Sequence, residues 1–152
     1  MARRYTKREP KEFNWFRAVF QWFSATVYGT FFRLYLNFKI TGRENIPKDG
    51  FFIVASNHVS ALDPFLVRYA VNFSLAYMAK KELFDKPHTR LFMDLLGSFE
   101  VNREKLDVST IKTAISLKKT NWKLGLFPEG TRNEKLSLEN VSKGFAFLAK
   151  SL

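Results

Sequence analysis

The sequence predicts an α/β fold, a largely parallel sheet flanked by helices and preceded by an aromatic helical segment. Three observations carry that expectation. From Phe38 onward short β-rich runs alternate with helical stretches, the pattern of strands joined by crossover helices. The 152 residues suffice for one domain with a real core but not for two of ordinary size. A composition of 46% apolar and 26% charged residues is globular, which excludes wholesale disorder and collagen-like repeats.

Taken in order, the chain begins with a basic tail, residues 1–11, in which Arg3, Arg4, Lys7, Arg8 and Lys11 stand against Glu9 alone. No small-residue cleavage site follows the apolar stretch behind it, so no cleaved signal peptide is expected. Residues 13–38 hold 11 aromatic side chains, yet their longest charge-free run, residues 18–32, is 15 residues. That is about 22 Å of helix, short of the ~30 Å hydrocarbon core of a bilayer. Apolar residues recur at helical spacing at Phe13, Phe16, Phe20, Phe23, Val27, Phe31, Leu34 and Phe38, while Asn14, Arg17, Gln21, Ser24 and Tyr28 trace a polar stripe. The stripe slips phase at Gly29 and resumes at Thr30, Arg33 and Asn37, which predicts two helices or one kinked helix. Strands are expected near 38–41, 51–55, 75–79, 98–101 and 123–127. Helices are expected over 64–71, 89–96 (closed by Gly97), 108–118 and 141–152. The domain reading is a tail and helical anchor over 1–37 and an α/β domain over 38–152.

Charge narrows the partners. Lys and Arg number 25 against 14 Asp and Glu, a net +11, so the chain should seek an anionic partner: nucleic acid, an anionic membrane surface or a phosphorylated small molecule. Without cysteine there is no disulfide framework, thiol nucleophile or Cys-ligated metal, and with only His58 and His88 there is no histidine-rich metal site. A basic tail before a short aromatic helix suits an interfacial anchor, cations meeting headgroups while Trp and Phe enter the acyl boundary. The other reading is a helical cover packed on the domain's own core. A single-strand nucleic-acid binder would interleave aromatics with Lys and Arg on a sheet. Here they concentrate in one stretch, so no nucleic-acid partner is expected.

Three segments hold chemistry. The first is Asn57-His58-Val59-Ser60-Ala61-Leu62-Asp63-Pro64, between an apolar strand and a helix. His58 and Asp63 would sit about 140° apart on an ideal helix, so only a turn brings them together. With His58 in the loop and Asp63 opening the helix, the carboxylate can bind one imidazole nitrogen and leave the other as a base. Alternatively Asp63 is an N-cap before Pro64, with Ser60 completing a capping box. The second segment, Phe127-Pro128-Glu129-Gly130-Thr131-Arg132, again follows an apolar strand. Its turn either holds a polyol with Glu129 and a phosphate with Arg132, or carries a surface Glu–Arg pair worth under ~1 kcal/mol. The third, Gly97 to Arg103, delivers Arg103 to a strand's carboxyl end, the edge shared by His58 and Glu129 in a parallel sheet. Alone, Arg103 reads as a solvated charge.

These segments in this order resemble the glycerolipid acyltransferase family. Asn57, His58 and Asp63 match its Asn-His-x4-Asp block, Gly97 and Arg103 its second block, and Phe127 to Arg132 its Phe-Pro-Glu-Gly-Thr-Arg block without change. Lys143-Gly144 is similar to the Lys-Gly pair that the family carries next. The resemblance implies that His58 is the general base and Asp63 its orienting partner. It implies that Arg103, Glu129 and Arg132 hold an acceptor's phosphate and glycerol, that Gly130 and Thr131 shape the turn, and that no metal or cofactor takes part. The implied reaction is acyl transfer from acyl-CoA or acyl carrier protein to the free hydroxyl of 1-acylglycerol 3-phosphate (lysophosphatidate), giving phosphatidate at the cytoplasmic face of a membrane, monotopic or peripheral. The alternatives are the same chemistry on glycerol 3-phosphate or another lysolipid, or an inactive membrane-associated fragment. Two departures are Asn102, where the family is usually acidic, and Glu100, where it is usually apolar. The family's fourth block, a Pro-bearing apolar strand, is not reached before Leu152, so the α/β domain is expected to be incomplete at its carboxyl end.

Overall fold

The computed structural model describes residues 7–101, 107–132 and 143–152. A long helix, α1 (Trp15–Tyr35), precedes β1 (Ile53–Ala55), α2 (Asp63–Val71), β2 (Leu75–Lys80), α3 (Pro87–Leu95), β3 (Phe99–Val101), α4 (Val108–Ser116), β4 (Lys123–Leu126) and α5 (Lys143–Ser151). The four strands form one sheet in the order β1-β4-β2-β3, with every pairing parallel. Ile53 lies opposite Leu124, Leu75 opposite Lys123, and Met78 opposite Phe99. All four strands therefore end at one edge, where loops in such sheets gather functional groups. The α/β expectation is met.

The central strands are apolar because both their faces are covered. Leu75, Ala76 and Leu124 are fully buried, joined by Phe99, Leu117 and the Phe13–Trp122 ring pair at 5.7 Å. Lys123 fits this interior because its ammonium donates to the Gly50 carbonyl at 2.6 Å and lies over both the Phe52 and Phe73 rings, 5.3 and 5.5 Å from their centroids. The expected strand at 38–41 does not form. Its first amide instead bonds the Phe32 carbonyl at the end of α1, and no described strand lies beside it to complete a ladder.

α1 departs from its predicted form in one way. It is one uninterrupted helix of 21 residues, and Gly29 breaks nothing. A Cβ there would lie 2.2 Å from the Tyr69 ring, so the missing side chain is the space into which α2 packs. The helix points most of its aromatic residues away from the domain, as the interfacial-anchor reading expects and the packed-cover reading does not. Its buried positions are Gln21, Ala25 and Gly29, while Trp15 (75% exposed), Phe16, Trp22, Phe23, Phe31, Leu34 (72%) and Tyr35 face outward. Gln21 makes this orientation possible. Its amide donates to the Leu75 and Leu96 carbonyls at 2.6 and 2.9 Å and accepts from the Leu75 N–H at 2.9 Å, so the buried polar group is fully paired. The tail is also partly fixed: Arg8 is buried, pairs with Asp94 of α3, and donates its backbone N–H to Thr113 of α4.

Gly97 ends α3 as the sequence predicts, at φ 69°, with a Trp122 ring atom 2.3 Å from where a Cβ would stand. Gly97→Ala meets both strain and collision. It is expected to lower stability by about 2 kcal/mol or more and the melting temperature by roughly 5 °C or more. An unchanged melt would show that Trp122 yields freely.

Candidate active site

β1 and β4 are neighbours, and the ladder between them extends one bond further, from the Ser56 N–H to the Leu126 carbonyl. The loops leaving these two strands carry His58 and Glu129 respectively. Their meeting is direct: the His58 imidazole stacks on the Phe127 ring, centroids 4.0 Å apart and planes 16° from parallel.

The chain turns back after β1 as the dyad reading requires. His58 Nδ1 lies 2.8 Å from Asp63 Oδ2. The same oxygen accepts the Val59 and Ser60 backbone N–H groups at 2.7 and 2.8 Å. Those two donors fix the carboxylate as an acceptor, so Nδ1 carries the proton toward Asp63. In the neutral imidazole Nε2 then carries the lone pair, and it has no hydrogen-bond partner among the described residues. The capping alternative is not met as expected, since α2 has no side-chain cap hydrogen bond at its N-cap. The Ser60 hydroxyl accepts from the Leu62 N–H at 3.2 Å while Asp63 reaches back to the Ser60 N–H, a reciprocal pairing akin to a capping box. Asp63 is nonetheless the first residue of α2 rather than its N-cap, a position held by Leu62.

After β4 the chain turns at Pro128. The Gly130 N–H donates to the Phe127 carbonyl at 2.9 Å, and Gly130 adopts φ 67°, which disfavours any residue with a Cβ. The surface Glu–Arg pair is absent among the described residues. Arg132 and Thr131 are exposed, whereas both carboxylate oxygens of Glu129 are buried and lack a hydrogen-bond partner among those residues. A buried carboxylate that finds no donor is costly, on the order of a few kcal/mol, so Glu129 is a candidate acceptor for a ligand's hydroxyl or a cation. Arg103 lies outside the described residues, although β3, which precedes it, ends at the same sheet edge. No group of three or more His, Asp or Glu is arranged to hold a metal among the described residues.

A third ring has no counterpart among the sequence-predicted site residues. Tyr77 of β2 stacks on Phe127 at 5.6 Å and 6°. Nothing in its surroundings, Leu-Ala-Tyr-Met-Ala, distinguishes it from any strand aromatic.

The carboxyl edge of the open parallel sheet thus brings together a His–Asp pair and, on the neighbouring loop, a buried carboxylate without a hydrogen-bond partner among the described residues. Residues 37–152 match the acyltransferase family, and the chain belongs to it. It is 34% identical over 115 residues to the 1-acyl-sn-glycerol-3-phosphate acyltransferase of Bacillus subtilis, covering 74% of this chain and 58% of that protein. It is 31% identical over 137 residues to the enzyme of that name from Saccharomyces cerevisiae, covering 86% of this chain and 45% of the yeast protein. Among solved structures it is similar to the 1-acyl-sn-glycerophosphate (LPA) acyltransferase PlsC of Thermotoga maritima, with a TM-score of 0.63 and 29% identity over 84% of this chain and 52% of that one. The chain thus spans about half the length of the relatives it matches.

Proposed function

We propose that the protein transfers an acyl group from acyl-CoA or acyl carrier protein to the free hydroxyl of 1-acylglycerol 3-phosphate, giving phosphatidate. The observation that carries the reading is the His58 Nδ1–Asp63 Oδ2 contact of 2.8 Å, which leaves Nε2 available beside the Glu129 turn. Nε2 takes the hydroxyl proton as the acceptor oxygen attacks the thioester carbonyl carbon. The C–S bond breaks, and the departing sulfur takes the proton from the imidazolium, so base and acid are the same ring. Asp63 holds the tautomer and stabilises the transient cation. Glu129 receives the glycerol portion, Arg103 and Arg132 hold the phosphate, and Gly130 and Thr131 set the turn's course. These steps use no metal or cofactor.

The outward aromatic face of α1 supports a seat on an anionic membrane surface, at the cytoplasmic face where acyl thioesters are made. No helix among the described residues is long and apolar enough to cross a membrane, which favours monotopic or peripheral attachment. In this arrangement residues 1–37 anchor and 38–152 catalyse.

The test is acyl transfer measured with lysophosphatidate, glycerol 3-phosphate and a neutral lysolipid in parallel. Lysophosphatidate should be favoured by roughly tenfold or more over the neutral lysolipid, since a bound phosphate held by a guanidinium is worth more than ~1.4 kcal/mol, and over glycerol 3-phosphate, which carries the same phosphate, through the apolar surface of its acyl chain. Preference for another acceptor moves the substrate assignment, and no product from any of them removes it. Arg103→Ala should raise the acceptor's KM by about tenfold while leaving the donor's nearly unchanged, and Arg103→Lys should restore part of the loss because a point charge replaces a fork. Equal effects on both substrates would take the phosphate role from Arg103.

A further inference from the structure

Tyr77 is 5% exposed and reaches both halves of the His58–Asp63 pair at one remove. Its ring lies almost parallel to Phe127, 5.6 Å between centroids, and Phe127 lies almost parallel to the imidazole of His58 at 4.0 Å. Three rings, one from β2 and one each from the loops after β1 and β4, thus form one offset stack ending on the base. The Tyr77 hydroxyl donates to the Pro64 carbonyl at 2.9 Å, in the first turn of α2 and next in the chain to Asp63. A core tyrosine needs a partner for its hydroxyl, but any neighbouring carbonyl would serve that need. Here it is the carbonyl beside the carboxylate that is taken.

The neighbouring strand accommodates this placement. A Cβ on Gly125 of β4 would lie 2.6 Å from Tyr77 Cε1, so the ring occupies the space a side chain would fill. The charged groups that bear on the hydroxyl are Asp63 and Arg68. Arg68, 6% exposed with an unpaired Nε, faces it from the same helix that carries Asp63. Burial holds the Tyr77 hydroxyl protonated far above the usual tyrosine range, so it remains a donor at every working pH.

We propose that Tyr77 is the positioning residue of the His58–Asp63 pair, setting the imidazole plane through Phe127 and the carboxylate's turn through the Pro64 carbonyl. This rests on the reading of His58 as base. The ring stack limits the imidazole to one plane, and the hydroxyl limits the approach of the first turn of α2, so Nε2 is aimed before substrate arrives. Preorganisation of this kind governs rate more than affinity.

The experiment is the ¹⁵N spectrum of the His58 imidazole in the full chain in detergent micelles, together with kcat and KM. The chain has only one other histidine, so His88→Gln completes the assignment. The unsubstituted chain should show a single tautomer protonated at Nδ1. Tyr77→Leu should mix the tautomers and lower kcat by about tenfold with both KM values within about twofold, whereas Tyr77→Phe, which keeps the stack and loses only the bond to the Pro64 carbonyl, should lower kcat by an intermediate factor of about threefold, and a fully parental rate there removes the hydroxyl's part in the positioning. An unmixed tautomer in folded Tyr77→Leu overturns the proposal, whatever the rate. If Tyr77→Leu loses its near-ultraviolet circular dichroism, Phe127→Leu carries the same test, because it breaks the stack and leaves the Tyr77 hydrogen bond in place. Full activity in His58→Ala would remove the base assignment alone, since the tautomer spectrum reports positioning independently of turnover.

Discussion

His58→Ala is expected to lower acyl transfer by roughly 10²- to 10⁴-fold, the range that a positioned general base supplies. The fold should survive, because the imidazole's partners are one carboxylate oxygen and one ring face, and that oxygen keeps its bonds to the Val59 and Ser60 amides when the ring is gone. Asp63→Asn is the sharper companion. An asparagine oxygen still accepts those two backbone N–H groups and so preserves the turn, but it brings no charge to stabilise an imidazolium. A fall of about 10²-fold at an unaltered melting temperature is therefore the expected result. Single-turnover rates with saturating acceptor, read beside thermal melts, check both variants. A His58→Ala protein with near-parental turnover would leave the strand edge without its proton carrier and end the mechanism.

Removing Trp15 and Trp22 together, each replaced by Ser, should weaken binding to anionic vesicles by roughly 10²-fold or more. Each large side chain contributes about 1.5 to 3 kcal/mol when it leaves water, and both are exposed on the outward face of α1. Salt should erode the remaining attraction only in part, since the charge contribution is screened over ~10 Å while the apolar contribution is not. Arg8 adds little to that charge contribution because Asp94 already holds it. Stability should hardly change, as neither indole belongs to the core cluster. Vesicle co-sedimentation across a salt series measures this, and unaltered partition would return α1 to the role of a mere cover.

The site was only partly legible in its residues. For His58 and Asp63 the residues alone left a dyad and a cap both open, and for the Glu129 turn a ligand site and a surface pair; the family resemblance chose between them, and β1 and β4 bring the two loops to one edge. Which face of α1 turns inward was left open between the anchor and cover readings. A periodic pattern says that a helix has two faces, but it was Gln21, with three hydrogen bonds to groups 54 and 75 residues away, that decided which face points inward. Gly29 misled for a related reason: a glycine marks a bend or a close approach, and only the Tyr69 ring tells which. The 38–41 run has the residues of a strand but lacks a neighbour, and a ladder is a property of two segments. Tyr77 carried no local signal at all, since its importance comes from what lies across the sheet.

The strand order also has a meaning in time. β1 cannot join the sheet until β4 exists, because β4 alone separates it from β2, and their registered residues lie roughly 70 positions apart in the chain. During synthesis α1 leaves the ribosome about 90 residues ahead of Leu126, roughly 5 to 20 s at ordinary elongation rates. For that interval the helix has no completed sheet to pack against, and its aromatic residues meet whatever surface is nearest. On the anchoring proposed for α1, attachment therefore precedes folding, and the strand that assembles the site closes over a chain already moored.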